Sequence, residues 1–178
     1  PGLEIAVRDP ESGDTLAPCE RGEIVVRGVG VFSGYYNDPE KTAAAFWEDR
    51  WFRTGDLGVS DTEGRITFHG RLKDMLKVGG ENVAAIEIEG YLALHPAVKM
   101  AQVVGIADKK YGEVPVAFVE LAPEATSTER EIIDFCQGEI ASFKIPRHVR
   151  FVRDWPMGAT KILKHVLRER VNAELNLD

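Results

Sequence analysis

In the run Trp51-Phe52-Arg53-Thr54-Gly55-Asp56-Leu57 a carboxylate follows a glycine turn at the start of a strand. That placement can hold Asp56 toward a ligand, and a carboxylate accepts charge-assisted hydrogen bonds from two neighbouring hydroxyls such as a ribose diol. An aspartate there can also do no more than cap the turn. Arg71 offers several fixed donors, either to a ligand or to an acidic neighbour on a surface strand. Asp74, at the change of texture near residue 73, reads on its own as an ordinary turn residue. Gly79-Gly80 lack a Cβ, which lets the backbone approach a thin ligand or simply turn tightly. Lys161 is a lone ammonium after Pro156 and Gly158, near the start of the last helix. Most lysines so placed are solvated surface charges, and Lys164 is its rival in register.

The elements that must position these groups differ between the two parts of the chain. Residues 1–72 read as short strands at 3–7, 23–27, 57–60 and 65–69, with Asp61-Thr62-Glu63-Gly64 supplying hairpin chemistry. Asn37-Asp38-Pro39-Glu40 opens a short helix, its proline placed where a first-turn residue needs no N–H partner. After Lys73 strands and helices alternate: strand 75–78, helix 84–94 stopped by Pro96, strands 100–107 and 115–121, helix 128–140, strand 148–152 and a final helix through Leu175. Ile132, Cys136 and Ile140 recur four apart, and Leu163, Val166, Leu167 and Val171 share one helical face. The expected class is α+β: a small antiparallel, barrel-like β subdomain over 1–72, a tight hinge at 73–74, and a mixed α/β domain over 75–178 with helices packed on a sheet.

Composition narrows the partners. A chain of 178 residues, 44% hydrophobic, can bury a core, and a formal charge of −7 sets it against general nucleic-acid or anionic-membrane binding. Cys19 and Cys136 read as reduced thiols of a cytoplasmic protein. No apolar run reaches the ~20 residues that span a bilayer. Residues 141–170 carry eight Lys or Arg against Asp154 and Glu169 alone, a stretch suited to phosphates or a solvated basic face. The chain starts at Pro1 and enters a strand at once, so an upstream portion is expected.

Four segments together carry a resemblance. They are Ser33-Gly34-Tyr35-Tyr36-Asn37-Asp38-Pro39-Glu40-Lys41-Thr42, the run from Arg53 to Leu57, the stretch from Phe68-His69-Gly70-Arg71-Leu72-Lys73-Asp74 through Gly79-Gly80-Glu81-Asn82-Val83 to Glu87-Ile88-Glu89, and Pro156-Met157-Gly158-Ala159-Thr160-Lys161-Ile162. In this order they resemble the C-terminal portion of the AMP-forming acyl-CoA synthetases, in the adenylate-forming superfamily with peptide-synthetase adenylation domains and luciferases. The Pro-Met start of the last motif and the Gly-Glu-Asn loop look most like fatty or medium-chain acyl-CoA ligases.

The resemblance implies roles. Asp56 would bind the ribose hydroxyls of ATP and AMP, with Arg71 a second nucleotide contact. Asp74 would be the hinge of a domain rotation between two half-reactions, and Gly79 and Gly80 would line the pantetheine channel of CoA with Glu87 supporting a loop. Lys161 would be the catalytic lysine, between the attacking carboxylate and the α-phosphate. Substrates would be ATP with Mg²⁺, CoA and a carboxylic acid, with no metal site within this chain and a large N-terminal domain required for activity. Thr160 departs from the family's usual glycine and would be strained if the backbone there needed a positive φ. Two other readings stand beside this one: an adenylation domain that loads a carrier protein, and a nucleotide-binding or interaction module without catalysis.

Overall fold

The computed structural model describes residues 2–175. It divides into two compact units, one ending at Lys73 and the other starting at Asp74.

The first unit is an antiparallel meander of β1 (Leu3–Arg8), β2 (Arg21–Gly28), β3 (Phe52–Ser60) and β4 (Ile66–Arg71), in that spatial order, with β1 and β4 at its edges. Its helix α1 (Pro39–Ala44) starts as the sequence demands: Asp38 accepts the Lys41 N–H at 2.9 Å, and Pro39 takes the first turn. Val7, Val25, Trp51 and Leu57 form the buried interior, and Arg8 and Arg27 each lie over the Trp51 ring, at 4.8 and 4.7 Å. The strands run longer than their apolar cores suggest, because β3 begins at Phe52 and includes the whole glycine turn before Asp56.

The second unit is built around β8 (Gly112–Leu121), whose central run Val114 to Val119 is buried throughout. Such a run must be covered on both faces, since successive side chains point to opposite sides. The covers are separate: Ala117 and Val119 join Ile88 and Leu92 of α2 (Ala85–Leu92) and Ile132 of α3 (Glu129–Phe135) in one core. Val114, Val116 and Phe118 meet Leu167 and Val171 of α4 (Lys164–Leu175) in the other. The sheet runs β6 (Glu81–Ala84), β5 (Met75–Val78), β8, β7 (Val98–Asp108), antiparallel throughout, while β9 (His148–Phe151) pairs with β8 in parallel.

Two elements differ from the sequence reading. Residues 81–84, expected to hold no strand between strand 75–78 and a helix from 84, form strand β6, paired from Val78↔Glu81 to Met75↔Ala84, so Gly79-Gly80 joins two strands. Ala84 is still extended at ψ 122°, and α2 begins after it. Helix α3 stops at Phe135, short of Ile140, because its end tightens: Cys136 and Gln137 donate to carbonyls three residues back, at 3.0 Å each. Ile140 packs on the same core from outside the helix. The helix start is as strong as its residues allow, with Thr128 and Glu131 in a reciprocal capping box.

Truncating Ile88 to alanine should destabilise the protein by ~2–5 kcal/mol, while Ile86→Ala, half-exposed on the same helix, should stay within ~0.5 kcal/mol in chemical denaturation. Burial pushes the Cys136 thiol up to about 11, so an aromatic disulfide reagent near pH 8 should label exposed Cys19 in the folded protein and Cys136 only on unfolding. Release of two equivalents from the native state would contradict this.

Candidate functional site

In the first unit, Asp56 owes its position to a bulge. The β2–β3 register passes from Glu23↔Leu57 to Val25↔Arg53, so Thr54, Gly55 and Asp56 face Ile24 alone. Gly55 takes φ +71°, which a glycine adopts without strain. Two side chains replace the lost ladder bonds: Gly55 N–H donates to Glu23 Oε1 at 3.0 Å, and Asp56 N–H to Thr54 Oγ1 at 3.0 Å. The Thr54 hydroxyl donates in turn to the Ile24 carbonyl at 2.6 Å.

Across the next ladder Asp56 is in register with Arg71. Arg71 Nε lies 3.1 Å from Asp56 Oδ1, yet among the described residues that buried oxygen has no aligned hydrogen bond. The contact is therefore a charge contact, and the Arg71 donors stay largely free on a side chain 48% exposed. A carboxylate and a guanidinium held together at a surface can serve a ligand that presents hydroxyls and a phosphate. Glu23 was missed by the sequence reading. Its signal was an acid two residues before Val25 on the same strand face, which places a charge on an apolar side.

In the second unit, Gly79 and Gly80 form a two-residue hairpin with φ +61° and +91°. That is the twist a tight hairpin needs. A Cβ at Gly80 would meet nothing within 4 Å, so the backbone sign, not space, is what excludes other residues there. Gly79 N–H donates to the Tyr111 carbonyl at 2.7 Å. Beside it lies a cleft of about 410 Å³ lined by Val78, Gly79, Tyr111, Pro115, Phe143 and Arg147 among others. Glu87, in the first turn of α2, accepts from Lys144 at 2.5 Å. Lys144 ends the 3-10 turn Ser142–Lys144, which carries Phe143 into the cleft wall.

The Lys161 segment is a small hairpin closed by a Met157↔Ile162 bridge, with Gly158 N–H on the Lys161 carbonyl and Leu163 N–H on the Pro156 carbonyl, both at 2.8 Å. Thr160 is outside the left-handed region, so no strain attends it. The exposed Lys161 ammonium makes no hydrogen bond or ion pair among the described residues. Lys164 is different: its ammonium lies 2.6 Å from Glu89 Oε1, which also accepts the Val103 N–H at 2.8 Å. Asp74 closes the 3-10 turn Leu72–Asp74, half-buried and without a side-chain hydrogen bond among the described residues. In the basic stretch, Lys144, Arg150 and Lys164 are paired with Glu87, Glu174 and Glu89, and Arg168 donates to the Gly105 carbonyl. Arg147, Arg153, Lys161 and Arg170 have no ion pair among the described residues, so the stretch is less basic than its composition.

Residues 87–164 match the family described as AMP-binding enzyme C-terminal domain. That match assigns residues 87–164, which lie within the second unit, to this family. Among proteins it is similar to is the medium-chain acyl-CoA ligase ACSF2, mitochondrial, of Danio rerio, 40% identical across 99% of this chain. It covers 29% of that relative's length. The ATP-bound structure of MatB from Rhodopseudomonas palustris is 39% identical with a TM-score of 0.89, over 96% of this chain and 34% of that one. The o-succinylbenzoate CoA synthetase MenE of Bacillus subtilis, in complex with its acyl-adenylate intermediate, is 35% identical with a TM-score of 0.85, over 94% and 34%. No helix among the described residues is long and apolar enough to cross a membrane.

The Glu89–Lys164 pair makes a stability prediction. Glu89→Ala strands both the Lys164 ammonium and the Val103 N–H, and should cost ~2–4 kcal/mol in denaturant unfolding, whereas Lys164→Met should cost under about half of that. Equal losses would show that the carboxylate's bond to the backbone adds nothing.

Proposed function

We propose that this chain is the C-terminal part of an ATP-dependent, AMP-forming acyl-CoA ligase. In the first half-reaction a carboxylate oxygen attacks the α-phosphorus of MgATP, the bond to pyrophosphate breaks, and acyl-AMP forms. In the second, a thiolate sulfur attacks the acyl carbon and AMP leaves. The chemistry brings two anions together, and a cation between them lowers the barrier electrostatically.

Lys161 is that cation, and the observation that carries the assignment is its contrast with Lys164. The latter is held by Glu89, while Lys161 stands exposed on a hairpin closed by two backbone hydrogen bonds, its ammonium free among the described residues. Asp56 accepts the ribose hydroxyls of the nucleotide, and Arg71, in charge contact with it, supplies a second nucleotide contact. Asp74 is the pivot of the rotation that exchanges one half-reaction for the other.

The acceptor is CoA. The cleft beside Gly79 has Tyr111 and Phe143 as aromatic walls and carries the Arg147 guanidinium within 5.9 Å of the Tyr111 ring. Those features suit a thin pantetheine arm and a phosphoadenosine end, and Glu87 braces the wall through Lys144. The acid is a fatty or medium-chain one, as the name of the zebrafish relative suggests. Both thiols are free, so a reducing compartment such as the cytoplasm suits the protein.

In the intact enzyme Lys161→Ala should lower acyl-adenylate formation by a factor on the order of 10² to 10³, and leave thioester formation from supplied acyl-AMP within about threefold. Pyrophosphate exchange and single-turnover transfer to CoA measure the two separately, and an equal loss in both would remove Lys161 from the role.

A further inference from the structure

We propose that Glu23 is the positioning residue for Asp56, its buried carboxylate setting how well the protein grips the two hydroxyls of a nucleotide ribose. This rests on the ribose role given to Asp56 above.

Glu23 is 1% exposed. A carboxylate so deep costs stability unless its oxygens are satisfied, and both are: Oε2 accepts from Arg53 Nε at 2.9 Å and Oε1 from Gly55 N–H at 3.0 Å. The guanidinium is itself anchored, with Nη2 on the Pro10 carbonyl at 2.9 Å and Cζ 4.5 Å from the centroid of the Trp47 ring. An apolar pair of similar volume would fill a sheet interior at less desolvation cost. What an apolar pair cannot supply is an acceptor for an N–H that has left the ladder.

The bulge creates that need. Where three residues of β3 face one of β2, the amides of Gly55 and Asp56 have lost their strand partners, and each is taken instead by a side chain, Glu23 for one and Thr54 for the other. The backbone on both sides of the Asp56 peptide is thereby pinned. Without the Glu23 acceptor, Gly55 N–H would seek water or another carbonyl, and the left-handed turn at φ +71° would lose the bond that selects it. The Asp56 carboxylate would then wander, and two hydroxyls held in fixed geometry are the feature most sensitive to such movement.

Glu23→Gln tests this with nearly unchanged volume. An amide has one oxygen and one NH₂, so either Gly55 N–H or Arg53 Nε–H faces a donor. The readout, in the intact enzyme, is kcat/KM for pyrophosphate exchange with ATP against 2′,3′-dideoxy-ATP. The wild type should favour ATP by about 10- to 100-fold, the range of one or two charge-assisted hydrogen bonds. Asp56→Asn should abolish most of that preference. Glu23→Gln should lower it several-fold, through the KM for ATP, with little change for the dideoxy nucleotide, and should add nothing in the Asp56→Asn background. If Glu23→Gln slows both nucleotides equally and preserves the preference, Glu23 is merely structural and the inference is overturned while the ribose role stands. If Asp56→Asn keeps the preference, both fall. Should Glu23→Gln fail to fold, Arg53→Lys, which keeps the charge but loses the Nε donor, takes its place: a reduced preference supports the inference and an unchanged one overturns it.

Discussion

A strand that is apolar on both faces cannot be left bare on either, and β8 imposes that condition on the whole second unit. Its residues from Val114 to Val119 are buried without interruption, so helices must lie above and below it. Once α2 and α3 cover one face and α4 the other, the ends of the strands are where irregular backbone can stand. The glycine hairpin after β5, the turn that carries Phe143 and the hairpin that carries Lys161 are all loops hung on those buried elements. In this unit the glycine hairpin and Lys161 stand on loops because the core leaves nowhere else for exposed backbone.

In both units acidic side chains act as fasteners between backbone and cation. Glu89 takes the Val103 N–H and the Lys164 ammonium, so it caps an edge amide of β7 and ties the start of α4 to α2. Glu129 takes the Val149 N–H and lies 3.5 Å from Arg150, doing the same for β9. Glu23 takes the Gly55 N–H and Arg53 at the bulge. Each arrangement satisfies an amide that sheet pairing leaves over, and each neutralises the acid in the same stroke. Part of the acidic excess is thus structural, which is why the net charge speaks about excluded partners and hardly at all about the site.

The fold was legible where the signal is local. The apolar run of β8, the Asp38–Pro39 start of α1, the start of α3 at Thr128 and the register of Leu167 and Val171 all follow from spacing within one or two turns. Strand β6 was not legible: Glu81-Asn82-Val83-Ala84 has no alternation, and only pairing with β5 makes it a strand. The same limit applied to helix α3, whose apolar spacing runs on to Ile140 although the helix does not.

By itself the sequence determined the family motifs, the order of elements apart from β6, and the residue types available for chemistry: Asp56, Arg71, Asp74, Gly79, Gly80, Glu87 and Lys161. Tertiary structure alone decided which charges are already engaged. Lys161 and Lys164 are three residues apart and chemically alike, yet Lys164 meets a carboxylate 75 residues away in sequence and Lys161 meets none among the described residues. Glu23 reads as one more strand acid until its bonds to Arg53 and Gly55, 30 and 32 residues on, are seen. A side chain's type is local, but its partner is set by which distant segments the packing of the core brings beside it.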